Sequence, residues 1–148
     1  MSDENKFLFN YKEEIKMGMD KVIEIGVAVK DLDKAIKLFT EVLGAELGDV
    51  VTFEPYGMKY AMCKIGEVDF ELMAPTNKDG VIGKFIENRG EGLHHIALKT
   101  DDIDKQWDDF NQKGIKLIDK TPNTYENHKF GFVHPKSFNG VMFEIIQE

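Results

Sequence analysis

From Ile23 to Val29 large apolar residues alternate with small or polar ones, and beyond Lys30 the spacing changes, with Leu32, Ile36, Phe39 and Leu43 three or four residues apart. A period near 2 marks a strand and a period near 3.6 an amphipathic helix, so this stretch predicts a strand followed by a helix with one apolar face. The same order returns downstream. Residues 94–105 (His94-His95-Ile96-Ala97-Leu98-Lys99-Thr100-Asp101-Asp102-Ile103-Asp104-Lys105) echo residues 23–34 (Ile23-Glu24-Ile25-Gly26-Val27-Ala28-Val29-Lys30-Asp31-Leu32-Asp33-Lys34). Ile103, Trp107 and Phe110 repeat the helical register, Asp33 and Asp104 are the expected N-caps, and Gly44 and Gly114 stand near the expected ends.

Strand-like segments follow each helix: Met58 to Ile65 and Val68 to Ala74 in the first copy, Lys129 to His134 and Gly140 to Gln147 in the second. The unit reads βαβββ twice, which predicts an α+β fold in which two modules, residues 21–75 and 91–148, pair into one curved sheet. Residues 76–92 join them through a short apolar helical patch, Val81, Ile82, Phe85 and Ile86, within a single domain spanning 21–148. Residues 1–20 stand outside the repeat. There Phe7, Leu8, Tyr11 and Ile15 are spaced for one face of an N-terminal helix, which would pad either the core or the partner in a homodimer.

Length and composition narrow the functional classes. A chain of 148 residues suits one core, and 42% hydrophobic residues with 11 Phe describe an ordinary globular protein. A net charge of -8 argues against nucleic acid, whose phosphates demand a positive field, and leaves a small molecule as the expected ligand. The lone Cys63 excludes an internal disulfide. Without an apolar run of about 20 residues or a secretion signal, no membrane is expected and the cytoplasm is the expected compartment.

Paired, duplicated sheets bring equivalent positions together about a pseudo-twofold axis, so polar residues at matching places attract attention. Glu24 matches His95. Phe70-Glu71-Leu72-Met73 matches Phe143-Glu144-Ile145-Ile146, setting a carboxylate in an apolar strand twice. Strand parity places Glu24 on a face with Gly26 and Ala28, and His95 on a face with Ala97, leaving room beside both, while His94 points to the opposite face in a structural role. Three carboxylates and a histidine that converge would repel unless protonated, and a divalent metal resolves the conflict. A duplicated fold can also repeat a surface pattern by descent, and the residues alone leave both readings open.

The strings Gly90-Glu91-Gly92-Leu93-His94-His95-Ile96-Ala97, His134-Pro135-Lys136-Ser137, Gly140-Val141-Met142-Phe143-Glu144 and Glu71-Leu72-Met73-Ala74-Pro75 closely resemble the methylmalonyl-CoA epimerase family. More widely, residues 21–148 resemble the vicinal oxygen chelate superfamily, which includes glyoxalase I and extradiol dioxygenases. That resemblance implies paired βαβββ modules around a central cavity and one divalent ion, Co, Ni, Mn, Mg or Zn. Carried over by position, the ligands are Glu24, Glu71, His95 and Glu144. The chain departs from the epimerases twice. Glu24 stands where they have histidine, making the site harder and more negative, and Tyr60 stands where they have the glutamate that serves as one of two opposed bases.

The resemblance implies removal of a proton beside a carbonyl, with Glu144 and Tyr60 as catalytic residues and an acyl-CoA as substrate. A tyrosine, with a reference pKa of about 10, is a poor base near neutrality unless strongly perturbed. Lys113, Lys116, Lys120, Lys129 and Lys136 face only Asp119 and Glu126 between residues 113 and 140, and Lys129 and Lys136 are the candidates for the cofactor's phosphates. Two alternatives stand beside the epimerase: a glyoxalase I-type lactoylglutathione lyase, and a non-catalytic protein that binds small molecules.

Overall fold

The computed structural model describes residues 19–148. The expected helix over Phe7, Leu8, Tyr11 and Ile15 lies outside the described residues. Along the chain run β1 (Lys21–Ala28), α1 (Leu32–Lys37), β2 (Glu46–Phe53), β3 (Met58–Ile65), β4 (Val68–Pro75), α2 (Val81–Arg89), β5 (Gly92–Lys99), α3 (Ile103–Gln112), β6 (Asn123–Tyr125), β7 (His128–Val133) and β8 (Phe143–Gln147). The strands form one curled, mixed sheet in the order β2-β3-β4-β1-β5-β8-β7-β6. That order reads the same from either end once β1 is equated with β5 and β4 with β8. The first and fourth strands of each module pair in parallel, and β1 and β5 join the modules antiparallel.

Both module helices start on an aspartate, though not the expected one. Asp31 Oδ1 accepts from the Lys34 N–H and Asp102 Oδ1 from the Lys105 N–H, each at 3.1 Å. Asp33 and Asp104 lie two residues further on, inside the first turn, where a carboxylate meets the positive end of the helix dipole. An apolar residue, Leu32 or Ile103, follows each cap and is buried.

The apolar face expected along the first helix is interrupted. After α1 the chain widens into a π turn, Leu38–Val42, in which the Leu43 N–H reaches back five residues to the Leu38 carbonyl. One extra residue in a turn rotates the succeeding side chains by about 100°, so Leu43 faces outward instead of joining Leu32 in the core. The fourth expected strand of the second module is also shorter than its apolar pattern, beginning at Phe143 and not at Gly140. Strands β2 and β6, which had no clear pattern, complete the two modules at the sheet edges.

Strand alternation divides the core in two. Leu72 of β4 and Ile145 of β8 face α1 and α3, in clusters with Val29, Leu32 and Ala35 on one side and Ile103, Trp107 and Phe110 on the other. Trp107 packs so closely on β7 that a Cβ at Gly131 would lie 2.4 Å from its ring. The neighbours of Leu72 and Ile145 in sequence, Glu71, Met73, Glu144 and Ile146, line the concave side. There α2, the expected linker helix, packs Ile82 against Ala28, Phe53, Met58 and Met73. No helix among the described residues is long and apolar enough to cross a membrane.

Candidate metal centre

The concave face encloses a cleft of about 690 Å³ lined by both modules. Glu24 from β1, His95 from β5 and Glu144 from β8 each offer one donor atom there, and those three atoms lie within 4.8 Å of one another. Glu71 of β4 lines the same cleft against Glu24, but falls outside that group of three. The pairing of β1 with both β4 and β5 causes this convergence, because Gly26 stands opposite Glu71 on one side and His95 on the other. Gly26 also makes room: a Cβ on it would lie 2.2 Å from His95 Cε1 and 2.4 Å from Nδ1. Only the absence of a side chain on β1 admits the imidazole.

Burial without pairing marks the centre. His95 Nε2 is 3.0 Å from Glu144 Oε2, yet the approach lacks hydrogen-bond alignment, and Nε2 has no hydrogen-bond partner. Glu24 Oε1 is buried and unpartnered as well. Desolvation, then the neighbouring Glu71 carboxyl, pushes the pKa of Glu24 up to about 9. Burial raises Glu71 to about 7, and burial raises Glu144 too, against the opposing pull of His95. An orphaned nitrogen and an orphaned carboxyl oxygen facing one point are unfavourable unless a cation satisfies both. Adjacent ligands about 2.1 Å from an octahedral ion sit about 3.0 Å apart, so the His95–Glu144 spacing suits a shared ion. The donor set fits a divalent metal.

His94 is not on the opposite face, as alternation predicts. The β1–β5 register shifts where Gly26 pairs with His95 and Val27 with Leu93, leaving His94 as the extra residue of a β-bulge. The bulge turns its ring into the cleft, where Nδ1 lies 2.9 Å from His95 Nδ1 and the ring stands edge-on to Phe85. Burial lowers the His94 pKa to about 3, with His95 and Arg89 adding to the effect, so the ring is neutral and carries a single N–H. A 2.9 Å nitrogen–nitrogen contact requires a proton on one of them and a lone pair on the other.

Tyr60 of β3 also lines the cleft, with burial and then Glu71 raising its hydroxyl to about 12. It therefore holds its proton more tightly than an ordinary tyrosine. The two candidate lysines stand elsewhere. Lys129 Nζ is ion-paired to Asp104 Oδ2 at 2.5 Å, Lys136 sits in the 3-10 turn Pro135–Phe138, and neither lines the cleft. The residue patterns did not identify the aromatic wall formed by Phe53 and Tyr56 of the first module with Tyr125 and Phe130 of the second. Phe53 stacks edge-on to Tyr125 at 4.8 Å and Tyr56 to Phe130 at 6.5 Å, closing one side of the cleft across the modules. The alternation of Phe130 and Phe132 was a signal for a shared face, but β2 and β6 had to be placed before their partners were visible.

A curled sheet of two βαβββ modules with carboxylate and imidazole donors at its centre defines the vicinal oxygen chelate class of protein. The chain belongs to the glyoxalase/bleomycin resistance protein/dioxygenase superfamily, which it matches over residues 24–132. It is 30% identical over 131 residues to the mitochondrial methylmalonyl-CoA epimerase of Mus musculus, covering 87% of this chain and 74% of that one. It is 29% identical over 126 residues to the ethylmalonyl-CoA/methylmalonyl-CoA epimerase of Cereibacter sphaeroides, covering 83% and 94%. Among solved structures, a methylmalonyl-CoA epimerase in complex with methylmalonyl-CoA and NH4+ superposes with a TM-score of 0.82 at 30% identity, covering 88% of this chain and 96% of that one.

Proposed function

We propose that the protein is a metal-dependent enzyme of the epimerase type, which moves a proton at the carbon beside a thioester carbonyl. The observation that carries this reading is the meeting of Glu24, His95 and Glu144 donor atoms within 4.8 Å, two of them buried without partners, in a cleft of substrate size. The similarity to epimerases supports the same chemistry. Glu24, His95 and Glu144 would hold the ion, with Glu71 beside Glu24 as a further oxygen donor. A bound divalent cation would supply positive charge for the substrate's carbonyl oxygen, where negative charge develops as the proton leaves.

The remaining work falls to the chain's own groups. Glu144, its basicity raised by burial, accepts the proton as the carbon–hydrogen bond breaks and its electron pair passes into the enolate. Return of a proton to the same face restores the substrate, and delivery to the other face inverts it. Tyr60 lines the cleft from the other module and keeps its proton through the neutral range, so it serves as the donor to the second face in one direction and, by microscopic reversibility, as the weak base at that face in the other. His94 sets the tautomer of His95: if Nε2 of His95 faces the ion, its proton sits on Nδ1 and is donated to His94 Nδ1.

Elemental analysis of purified protein, with proton exchange in heavy water measured on metal-loaded and chelated samples, tests the reading. Stoichiometric metal and metal-dependent exchange at the α carbon of an acyl thioester are expected, with exchange lost in Glu144→Gln. A chain that takes up no divalent ion, or exchanges equally well after chelation, would overturn it.

A further inference from the structure

Resting on that reading, we infer that the acyl group this cleft accepts carries a bulky apolar substituent, at least the size of a phenyl ring, beside the reacting carbon. Five aromatic side chains line the cleft as one connected track that starts at the metal centre. The Phe132 ring stands edge-on to His95 with centroids 5.5 Å apart, and Phe130 and Tyr56 follow it at 6.4 Å and 6.5 Å. Phe53 lies 5.1 Å from Tyr56, and Tyr125 lies 4.8 Å from Phe53. All these separations fall in the range of about 4.5–7 Å over which aromatic rings attract one another. His95 is 3% exposed and Tyr125 37%, so the track runs from the buried imidazole out to solvent.

Two arms leave the α carbon of a substrate whose carbonyl faces the centre: the thioester arm and the α substituent. The thioester arm of a coenzyme A ester carries amide groups, which would lose hydrogen bonds against rings that offer only the hydroxyls of Tyr56 and Tyr125. Asp49, Asp69, Glu126 and His128, elsewhere in the lining, give those amides partners. The aromatic track therefore suits the substituent. Met58, Met73 and Met142 line the cleft as well, and their flexible thioethers adapt to an apolar group and attract ring edges. A cleft of about 690 Å³ falls in the range of about 300–1,000 Å³ that holds drug-sized ligands, and a methyl group beside the α carbon would leave most of the track facing water. Burial of apolar area drives this preference, whichever protons the carboxylates of the centre hold, and each buried methylene-sized group is equivalent to about fourfold in affinity.

A matched pair of thioesters tests the inference: 2-methylpropanoyl-CoA, and 2-phenylpropanoyl-CoA, in which a phenyl ring replaces one methyl group. Binding to the metal-loaded protein by calorimetry and α-proton exchange by NMR are measured for both. The phenyl thioester is expected to bind at least about 30-fold more tightly. Tyr125→Ala, at an exposed position, and Phe130→Ala are each expected to lower that ratio by about three- to tenfold, with urea unfolding confirming that both variants are folded. Equal affinities, or tighter binding of the methyl thioester, would overturn the inference, and exchange of both would leave the proton-transfer reading intact. A preference for the phenyl thioester that neither variant alters would also overturn it, because the ring would then sit away from the track. The expected ratios without exchange would remove the proton-transfer reading and leave the assignment of the track standing. Binding of neither thioester would overturn the inference together with the thioester assignment.

Discussion

Substituting Gly26 by alanine tests the centre without touching a polar group. Gly26 is ordinary β1 backbone, so alanine strains no dihedral, and the whole effect is the added methyl. That methyl would lie 2.2 Å from Cε1, 2.4 Å from Nδ1 and 2.9 Å from Nε2 of His95. Ordinary carbon contacts begin near 3.4 Å, so the imidazole must withdraw by about 1 Å or β1 and β5 must part. The ring has little freedom, being only 3% exposed and held edge-on to Phe132 on one side and His94 on the other. Overpacking of this kind costs about 1–3 kcal/mol of stability, whereas metal ligands tolerate displacements of only about 0.2 Å. Gly26→Ala is therefore expected to remain folded while its metal affinity falls by at least about 10–100-fold, comparable to losing a group that orients a ligand. Titration with Co²⁺ or Mn²⁺ by calorimetry, alongside urea unfolding of chelated protein, gives both quantities. Wild-type metal affinity in a folded Gly26→Ala protein would refute the placement of His95 in the centre.

Three further outcomes are expected. Glu24 and Glu71 have folded pKa values raised to about 9 and 7, so the folded state binds more protons than the unfolded one above the ordinary carboxyl range. The stability they permit is complete below about pH 4.5 and is lost as pH rises through 7 and 9, with a slope of up to about 1.4 kcal/mol per pH unit for each group. Urea unfolding of chelated protein between about pH 5 and 9 should show that decline, Glu24→Gln should flatten it, and an unchanged slope in that variant would be inconsistent with a buried, protonated Glu24. For Tyr60, Phe should leave α-proton exchange in place and slow inversion, and Glu should raise inversion relative to exchange; inversion indifferent to Tyr60→Phe would place the second proton donor elsewhere. His94→Ala should weaken metal binding by about tenfold, and nitrogen-15 NMR of the wild type should place the His95 proton on Nδ1. A proton on Nε2 of His95 in the metal-free protein, with metal affinity unaffected in His94→Ala, would remove His94 from that role.

The repeat in sequence determined a great deal about this protein. Residues 23–34 and 94–105 carry the strand and helix periods that recur in β1–α1 and β5–α3, and a repeated unit that cannot bury its apolar face alone must pair with its copy. The matching of Glu24 with His95 and of Glu71 with Glu144 was legible for the same reason. Other features depended on pairings that no local pattern records. A β-bulge decided that His94 shares the cleft with His95, since one extra residue overrides the alternation of a strand. The caps fell on Asp31 and Asp102 because each lies just before the buried Leu32 or Ile103, which fixes where the helix can begin. Lys129 pairs with Asp104, a helix residue 25 positions away, while its strand neighbours His128 and Phe130 line the cleft. The aromatic wall likewise required the edge strands β2 and β6 to curl toward each other, and curvature of that kind belongs to the sheet as a whole and not to any stretch of the chain.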